Sequence, residues 1–355
     1  MPVPYPRSQI RGIARQFGLN MISSAPMPSL YRKHAVIRMQ TETGTYALKP
    51  FIKSELLRTS TVKQMNSAAD DVRHLMNSGY LHMPPWLPAN SGKLWILDRG
   101  RPFYVTAWIE GRPMQTAQDF EQLGQALAAL HAIPPGKAGL KRAPALEQIR
   151  LWKTKDSFFR KTTARLHQKG RYRRWIETYG KACTSLSERA WSELATPETI
   201  RLIKDEAARP SFVHNDVTMP NVILSGDGRL FLIDWDRIRL GSAFIDTAKA
   251  IKNTTQFNPE FIQSFLTGYE QHRPLGKAAR KTIAALYALP LEVWSAFRFP
   301  SRAGSRQMLR TIDRTWQQRV KAVEFMDAWA GLASGIPCPS NIHRKMGRLP
   351  RGEST

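Results

Sequence analysis

Cysteine is nearly absent from these 355 residues. The two present, Cys183 and Cys338, are far apart and lack metal-ligand spacing, so neither a disulfide framework nor a cysteine-built metal site is expected. Long apolar runs are missing too. The best candidate, around Ala284 to Leu291, is broken by Pro290 and falls short of the roughly 20 residues that cross a bilayer. The opening Met-Pro-Val-Pro-Tyr-Pro-Arg has no charged segment followed by an apolar one, so it does not read as a secretory signal, and a cytoplasmic location is the expectation. Acidic residues are scarce, 28 against 53 Lys and Arg, which leaves a formal charge of +25. A field of that sign suits nucleic acid, a polyanionic surface or phosphorylated ligands. No nucleic-acid reader motif accompanies it, and the densest clusters, Arg160 to Arg174 and His343 to Arg351, read as a solvated helix face and a loose end. No internal repeat is visible.

What is present is a globular composition, 42% hydrophobic and 10% aromatic, in a chain long enough for two lobes. His34 to Met39 and Thr45 to Lys49 alternate as strands about Glu42-Thr43-Gly44, and Pro50 ends the hairpin. The spacing of Val62, Met65, Ala69, Val72 and Met76 predicts a helix from about Thr61 to Asn77, stopped at Gly79. A second hairpin follows, Lys93 to Asp98 and Arg101 to Trp108, around Arg99-Gly100. From Asp119 helices dominate: Phe120, Leu123, Leu127 and Leu130 form one stripe, and further helices are expected near 147–166, 170–194, 197–208, 258–272, 276–299 and 305–331. The result is an α+β, bilobal, protein-kinase-like fold. Its parts are a small antiparallel-sheet lobe over residues 1–108, a mainly helical lobe over 109–335 and a weakly ordered basic tail over 336–355.

One strand-like segment, residues 211–234, interrupts the helices. It contains His214-x-Asp216-x-x-x-x-Asn221 and then Ile233-Asp234. Asp227-Gly228 is a favoured dipeptide for a two-residue type I′ turn. Under that register Gly226 faces Arg229, and each step outward leads to Asn221 opposite Asp234. Phosphoryl transfer needs oxygen ligands to hold Mg²⁺ against nucleotide phosphates and a carboxylate to orient the attacking hydroxyl. Asn221 and Asp234 are the candidate metal ligands, and Asp216 the candidate base. The apolar runs Val222 to Leu224 and Leu230 to Ile233 would bury the hairpin and hold the geometry.

With these residues in place the chain resembles the aminoglycoside phosphotransferase and choline kinase-like superfamily over about residues 30–330, and within it is most similar to spore-coat CotS-type proteins. The carriers are Tyr46-Ala47-Leu48-Lys49, Tyr104 to Gly111, the helix Leu123 to His131, the loop from His214 to Asn221, and Ile233-Asp234-Trp235-Asp236. The resemblance implies an ATP- and Mg²⁺-dependent phosphotransferase acting on a small-molecule hydroxyl. It implies Lys49 on the α and β phosphates, Asp216 as catalytic base, Asn221 and Asp234 on Mg²⁺, and adenine against the backbone of Val105, Ala107, Trp108 and Ile109. It also implies that Asp246 supports the catalytic loop. His214 reads as a packing residue, and Asp236 as either solvent-facing or near metal and acceptor.

Three departures bear on function. Ser24 to Arg32 holds no glycine, so a glycine-rich phosphate loop is missing. Between Thr61 and Asn77 there is no glutamate to clamp Lys49; Gln64, Asp70 and Asp71 are the polar options, and Glu55 is close in sequence. Asn215 stands where regulated protein kinases carry arginine, which favours small-molecule acceptors. The helical part shows no acidic cluster for a polycationic aminoglycoside, and Trp152, Trp235, Tyr269 and Trp294 are its available aromatics. The alternative to an enzyme is a kinase-fold spore-coat or assembly protein with little turnover, its partners coat proteins or an anionic surface.

Overall fold

The computed structural model describes residues 5–27, 36–51, 62–136, 145–168, 170 and 172–332. The basic tail, Cys338, Glu55, His34, Ala35 and the segment Pro28 to Arg32 lie outside them. In chain order the elements begin α1 (Arg7–Gln16), β1 (Met21–Met27), β2 (Val36–Thr41), β3 (Gly44–Pro50), α2 (Val62–Asn77), β4 (Ile96–Asp98), β5 (Arg101–Ala107), β6 (Gly111–Arg112) and α3 (Ala117–Ala132). They continue with α4 (Ala145–Gln168), α5 (Arg173–Trp175), a π-helical stretch Ile176–Gly180, α6 (Lys181–Leu194), α7 (Pro197–Ala208), β7 (Ser211–Val213), β8 (Val222–Ser225) and β9 (Leu230–Leu232). The remainder is β10 (Arg239–Gly241), α8 (Ala243–Thr254), α9 (Pro259–His272), α10 (Lys277–Ala288), α11 (Leu291–Arg298) and α12 (Ala303–Ala330).

The first sheet has the order β1-β2-β3-β5-β4, every pair antiparallel. Both expected hairpins form. At the second, Arg99 and Gly100 take φ of 47° and 73°, the paired positive values of a type I′ turn. The first strand begins earlier than expected: Ser24 to Met27, read above as the site of a missing loop, already belong to β1 and pair with β2. Ser23, Ser24 and Pro26, all poor strand formers, conceal the strand, which is held by its partner rather than by propensity. Helix α1 was also unforeseen. Its Ile10 and Ile13 are buried with Met39, Leu48, Phe103 and Val105, and each contributes about 2 kcal/mol of apolar burial.

Helix α2 keeps its expected length but turns its face slightly. Met65, Ala68, Ala69, Val72 and Leu75 are buried, whereas Val62 is 55% exposed. The expected helix at 276–299 is two helices, because Pro290 has no N–H to continue α10 and instead its carbonyl opens α11 by accepting from Trp294 N–H. Among the described residues no helix is long and apolar enough to cross a membrane.

The chain divides into two compact units, one drawn from Met1–Pro144 and Asp205–Leu275, the other from Ala145–Lys204 and Gly276–Thr355. The first holds the sheet, α2, α3, the segment around β7 to β10, α8 and α9. Within it α3 and α9 cross at two glycines. A Cβ on Gly124 would stand 2.0 Å from Phe265 O, and one on Gly268 would stand 2.0 Å from Glu121 O, so only glycine permits this approach. The second unit is helical, with α11 packed on α4 and α12, and α10 packed on α6 and α12.

Candidate active site

The hairpin β8–β9 forms, but in a different register from the expected one. Its ladder pairs Val222 with Leu232, Ile223 with Phe231 and Leu224 with Leu230, and Ile233 N–H donates to Asn221 O at 2.9 Å. Asn221 therefore faces Ile233, not Asp234. The turn is the reason. Gly228 N–H closes a turn onto Ser225 O at 2.9 Å, Ser225 N–H reaches Arg229 O at 2.9 Å, and only Gly228 of the loop has positive φ, 80°. This is a three-residue loop with a left-handed glycine, the common alternative to type I′. Asp227 accepts from Ser225 Oγ and from Arg229 Nε, which fixes the loop chemically. On its outer side β8 pairs with β6, where Gly111 sits so close that a Cβ would stand 2.1 Å from Leu224 O.

Between β7 and β8 the loop His214 to Asn221 is held from below by α8. Asp246 accepts from His214 N–H at 3.0 Å, from Asn215 N–H at 2.9 Å and from His131 Nε2 at 3.3 Å. Burial works to raise the Asp246 carboxyl, but the His131 hydrogen bond and neighbouring charges outweigh it and hold it below its ordinary range. The expected supporting role of Asp246 thus has a direct geometric counterpart. Lys249, one turn further along α8, donates to both Asn215 O and Asn215 Oδ1 at 2.9 Å. That grip holds Asn215 at φ 64°, a left-handed conformation costly for a non-glycine residue.

His214 is fully buried. Its Nε2 donates to Ile233 O at 3.0 Å, so Nδ1 is left to accept from Asp216 N–H at 3.3 Å. Burial lowers its pKa, in keeping with a neutral ring. It ties the loop to β9, the packing role expected of it. Asp216 itself is partly exposed, with Arg237 Nε 3.6 Å from its carboxylate. Asn221 Nδ2 donates to Asp216 O at 2.9 Å, which joins the two ends of the motif.

Asp234 leaves the ladder at φ 71° and ψ 54°, heading the short turn Trp235–Arg237. Its carboxylate forms an ion pair with Lys49 of β3, a residue only 7% exposed. Burial alone would raise the Asp234 carboxyl. The Lys49 charge and hydrogen bond reverse this and lower it, so it is ionised. Lys49 lies opposite Tyr104 on β5, with its ammonium 5.8 Å from the centre of that ring, and Trp86 stacks on Tyr104 at 4.0 Å. Burial, with the Asp234 and Asp236 charges, pushes the Tyr104 phenol well up. The lysine thus has an aspartate partner, although α2 supplies no glutamate.

Asn221 and Asp234 offer oxygen donors of the kind a hard cation takes, and Asn221 Oδ1 has no donor among the described residues. No group of three or more His, Cys, Asp and Glu among the described residues could hold a metal unaided. Two protein oxygens suit Mg²⁺, which usually draws its other ligands from phosphates and water. Along the linker after β5, Ala107 N–H bonds Pro85 O and Trp108 N–H bonds Thr45 O, both at 3.0 Å, while Val105 O accepts from Leu87 N–H at 2.9 Å. Ile109 N–H has no partner among the described residues.

Residues 40–281 match the phosphotransferase enzyme family. The chain belongs to that family. No curated protein matches its sequence. Among solved structures, an aminoglycoside phosphotransferase from Alicyclobacillus acidocaldarius superimposes with a TM-score of 0.78 at 12% identity, over 93% of this chain and 98% of the other. A spectinomycin phosphotransferase solved with ADP and spectinomycin gives 0.63 at 15%, over 92% and 98%. A microcompartment-associated aminopropanol kinase gives 0.60 at 18%, also over 92% and 98%. At such identities the likeness is one of fold, and it is the kinase-like fold expected from the hairpins and helices.

Several residues around the candidate site carry no clear signal in the sequence. Helix α8 was not foreseen, because eight of its first nine residues are buried and it shows no exposed stripe. Lys249 was missed with it. Asp246-x-x-Lys249 spacing on one helical face was the available signal. Arg237 and His131 are brought to the loop only by tertiary structure. The four candidate aromatics are core residues, with Trp152 5%, Trp235 1%, Tyr269 0% and Trp294 2% exposed.

Proposed function

We propose that this protein is an ATP- and Mg²⁺-dependent phosphotransferase that moves the γ-phosphate to a hydroxyl of a small molecule. The observation that carries the reading is the ion pair of buried Lys49 with Asp234, made just after β9 and beside the loop into β8 in which Asn221 donates to Asp216 O. Asp216 orients the acceptor hydroxyl and takes its proton as the new O–P bond forms and the bond from the γ-phosphorus to ADP breaks. Lys49 places its charge against the α and β phosphates. Asn221 and Asp234 are the residues that would hold Mg²⁺, which would supply positive charge against the phosphate oxygens. The purine edge meets the linker at Ile109 N–H, because Ala107 and Trp108 already spend theirs within the protein, and the backbone around Val105 forms the wall.

Nucleotide use is supported by the ADP bound in the spectinomycin phosphotransferase, and small hydroxyl acceptors by the names of that enzyme and of the aminopropanol kinase. The lobes of this reading are residues 1–108 and 109–335. The finer likeness to spore-coat CotS-type proteins rests on sequence resemblance and adds a spore-coat setting, tested by whether antibody labels the coat of intact spores.

The deciding measurement is thermal shift with Mg²⁺ and ATP, on wild type and on Asp234→Ala. Wild type is expected to melt higher with nucleotide, by the free energy of binding at the concentration used, and the variant is not. No shift in wild type would sink the reading. For turnover, Asp216→Asn should lower ATP-dependent phosphorylation of an acceptor panel by at least a hundredfold while nucleotide binding survives; undiminished turnover removes Asp216 from its role.

A further inference from the structure

The excess of positive charge is not spread evenly. Among the described residues the helical unit carries 22 Lys and Arg against 10 Asp and Glu, whereas the sheet-bearing unit carries 18 against 16. Much of the acid in the helical unit is also already engaged: Asp156 and Glu188 hold Arg160, Glu177 holds Arg173, Asp327 holds Arg189, and Glu292 holds Arg319.

Four of the unneutralised cations of this unit form a row on α12. Arg306, Arg310 and Arg314 follow one another at four-residue spacing, and Lys321 continues the row seven residues on, all exposed. Each arginine stands about 6 Å along the axis from the next. None of the four has a carboxylate partner among the described residues. The opposite face of the helix, with Leu309, Ile312, Trp316 and Met326, is buried. Immediately before α12, Phe299 is 43% exposed, with the Arg302 guanidinium 4.1 Å and the Arg298 guanidinium 5.2 Å from its ring centre.

We propose that this face, from Phe299 to Lys321, binds single-stranded nucleic acid, the arginines taking successive phosphates and Phe299 stacking on a base. A row of cations that tracks a backbone, beside an exposed aromatic ring, is the combination by which proteins hold single strands without reading sequence. Arginine in place of lysine suits phosphate, which its planar fork meets with two hydrogen bonds. A membrane is disfavoured because the apolar side of α12 is already buried, so the helix has nothing to insert. An acidic protein partner is disfavoured because Phe299 is the one aromatic ring on a face otherwise made of cations, without the cluster of apolar side chains that centres protein interfaces, whereas nucleic-acid interfaces are more polar and more basic.

The test is fluorescence anisotropy of the full chain with a fluorescein-labelled, mixed-sequence single-stranded DNA across a salt series. Wild type should bind at low salt with an affinity that falls steeply as salt rises. The variant R306Q/R310Q/R314Q should bind at least tenfold more weakly and show a salt slope shallower by about 2, at roughly 0.7 for each phosphate of a single strand left without its arginine. F299A should lose about tenfold for the single strand and nothing for a duplex. R7Q/R11Q/R15Q removes the same charge from an exposed face of α1 in the other unit and should stay within twofold of wild type. Melting temperatures report folding, and should the triple variant melt, R310Q alone must still reduce the slope by about 0.7. The proposal is overturned by no binding at low salt, by equal losses in the two triple variants, or by tighter arginine-dependent binding to phosphatidylserine vesicles than to DNA.

Discussion

Asp246→Asn strikes the point where three segments meet. The carboxylate accepts His214 N–H and His131 Nε2 on Oδ2 and Asn215 N–H on Oδ1. An asparagine keeps one acceptor oxygen and brings an NH₂ group. Turned one way, the NH₂ faces the donors of His214 and His131; turned the other, it faces Asn215. The milder choice still costs one hydrogen bond to a charged acceptor, about 1.5–3 kcal/mol, and leaves a buried donor unsatisfied, about 1–3 kcal/mol more. A loss of about 3–5 kcal/mol in urea unfolding at pH 7 is expected. The left-handed Asn215 should relax with it, so nucleotide-dependent turnover should fall together with stability. The pH dependence has a definite sign. Because the folded-state pKa lies below the ordinary 3.8, the contribution of Asp246 is present above that value and disappears as pH falls through the folded-state value. A loss under about 1 kcal/mol at pH 7 would refute the claim that this carboxylate holds the loop.

Glu206 gives the opposite sign. Burial pushes it from 4.5 up to about 7, although it accepts from Ser242 Oγ and from Phe244 N–H at the start of α8, so wild-type stability should be full below pH 4.5 and about 3 kcal/mol lower above pH 7. Glu206→Gln should flatten that profile in urea midpoints measured at pH 5 and pH 8. Gly111→Ala sets a Cβ 2.1 Å from Leu224 O and should lower stability by about 2 kcal/mol, read as a drop in melting temperature. Gly228→Ala meets no atom within 4 Å, so it should cost only the left-handed backbone, about 1 kcal/mol, in the same assay.

Much of the fold was legible because its signals are local. Arg99-Gly100 and Glu42-Thr43-Gly44 mark their turns, and the stripe of Phe120, Leu123, Leu127 and Leu130 marks α3, whose start is set by a capping box between Thr116 and Asp119. What was hidden has a common cause. β1 is a strand only because β2 pairs with it, and α8 is buried on nearly all sides, so neither carries a period of its own. The cluster that supports the loop was hidden for another reason. His131, Asp246 and Lys249 come from two helices more than a hundred residues apart, and only the packing of α3 and α8 beneath the loop makes them neighbours of Asn215.

The hairpin shows how a correct motif can carry a wrong register. Side chains alternate along a strand, so moving the pairing by one residue reverses which face each presents. In a two-residue turn Asp234 would have sat in the ladder opposite Asn221, its orientation dictated by the pleat. The extra loop residue, with Gly228 left-handed, instead pairs Asn221 with Ile233 through a backbone hydrogen bond and ends the ladder one residue earlier. Asp234 is then free to adopt φ 71° and aim its carboxylate at Lys49. The distinguishing signal is Gly226-Asp227-Gly228 read as a whole: Asp227 accepts from Ser225 and Arg229 on either side without taking a positive φ, and so the positive φ falls on Gly228 alone. One glycine conformation thus decides whether the aspartate belongs to the sheet or to the site.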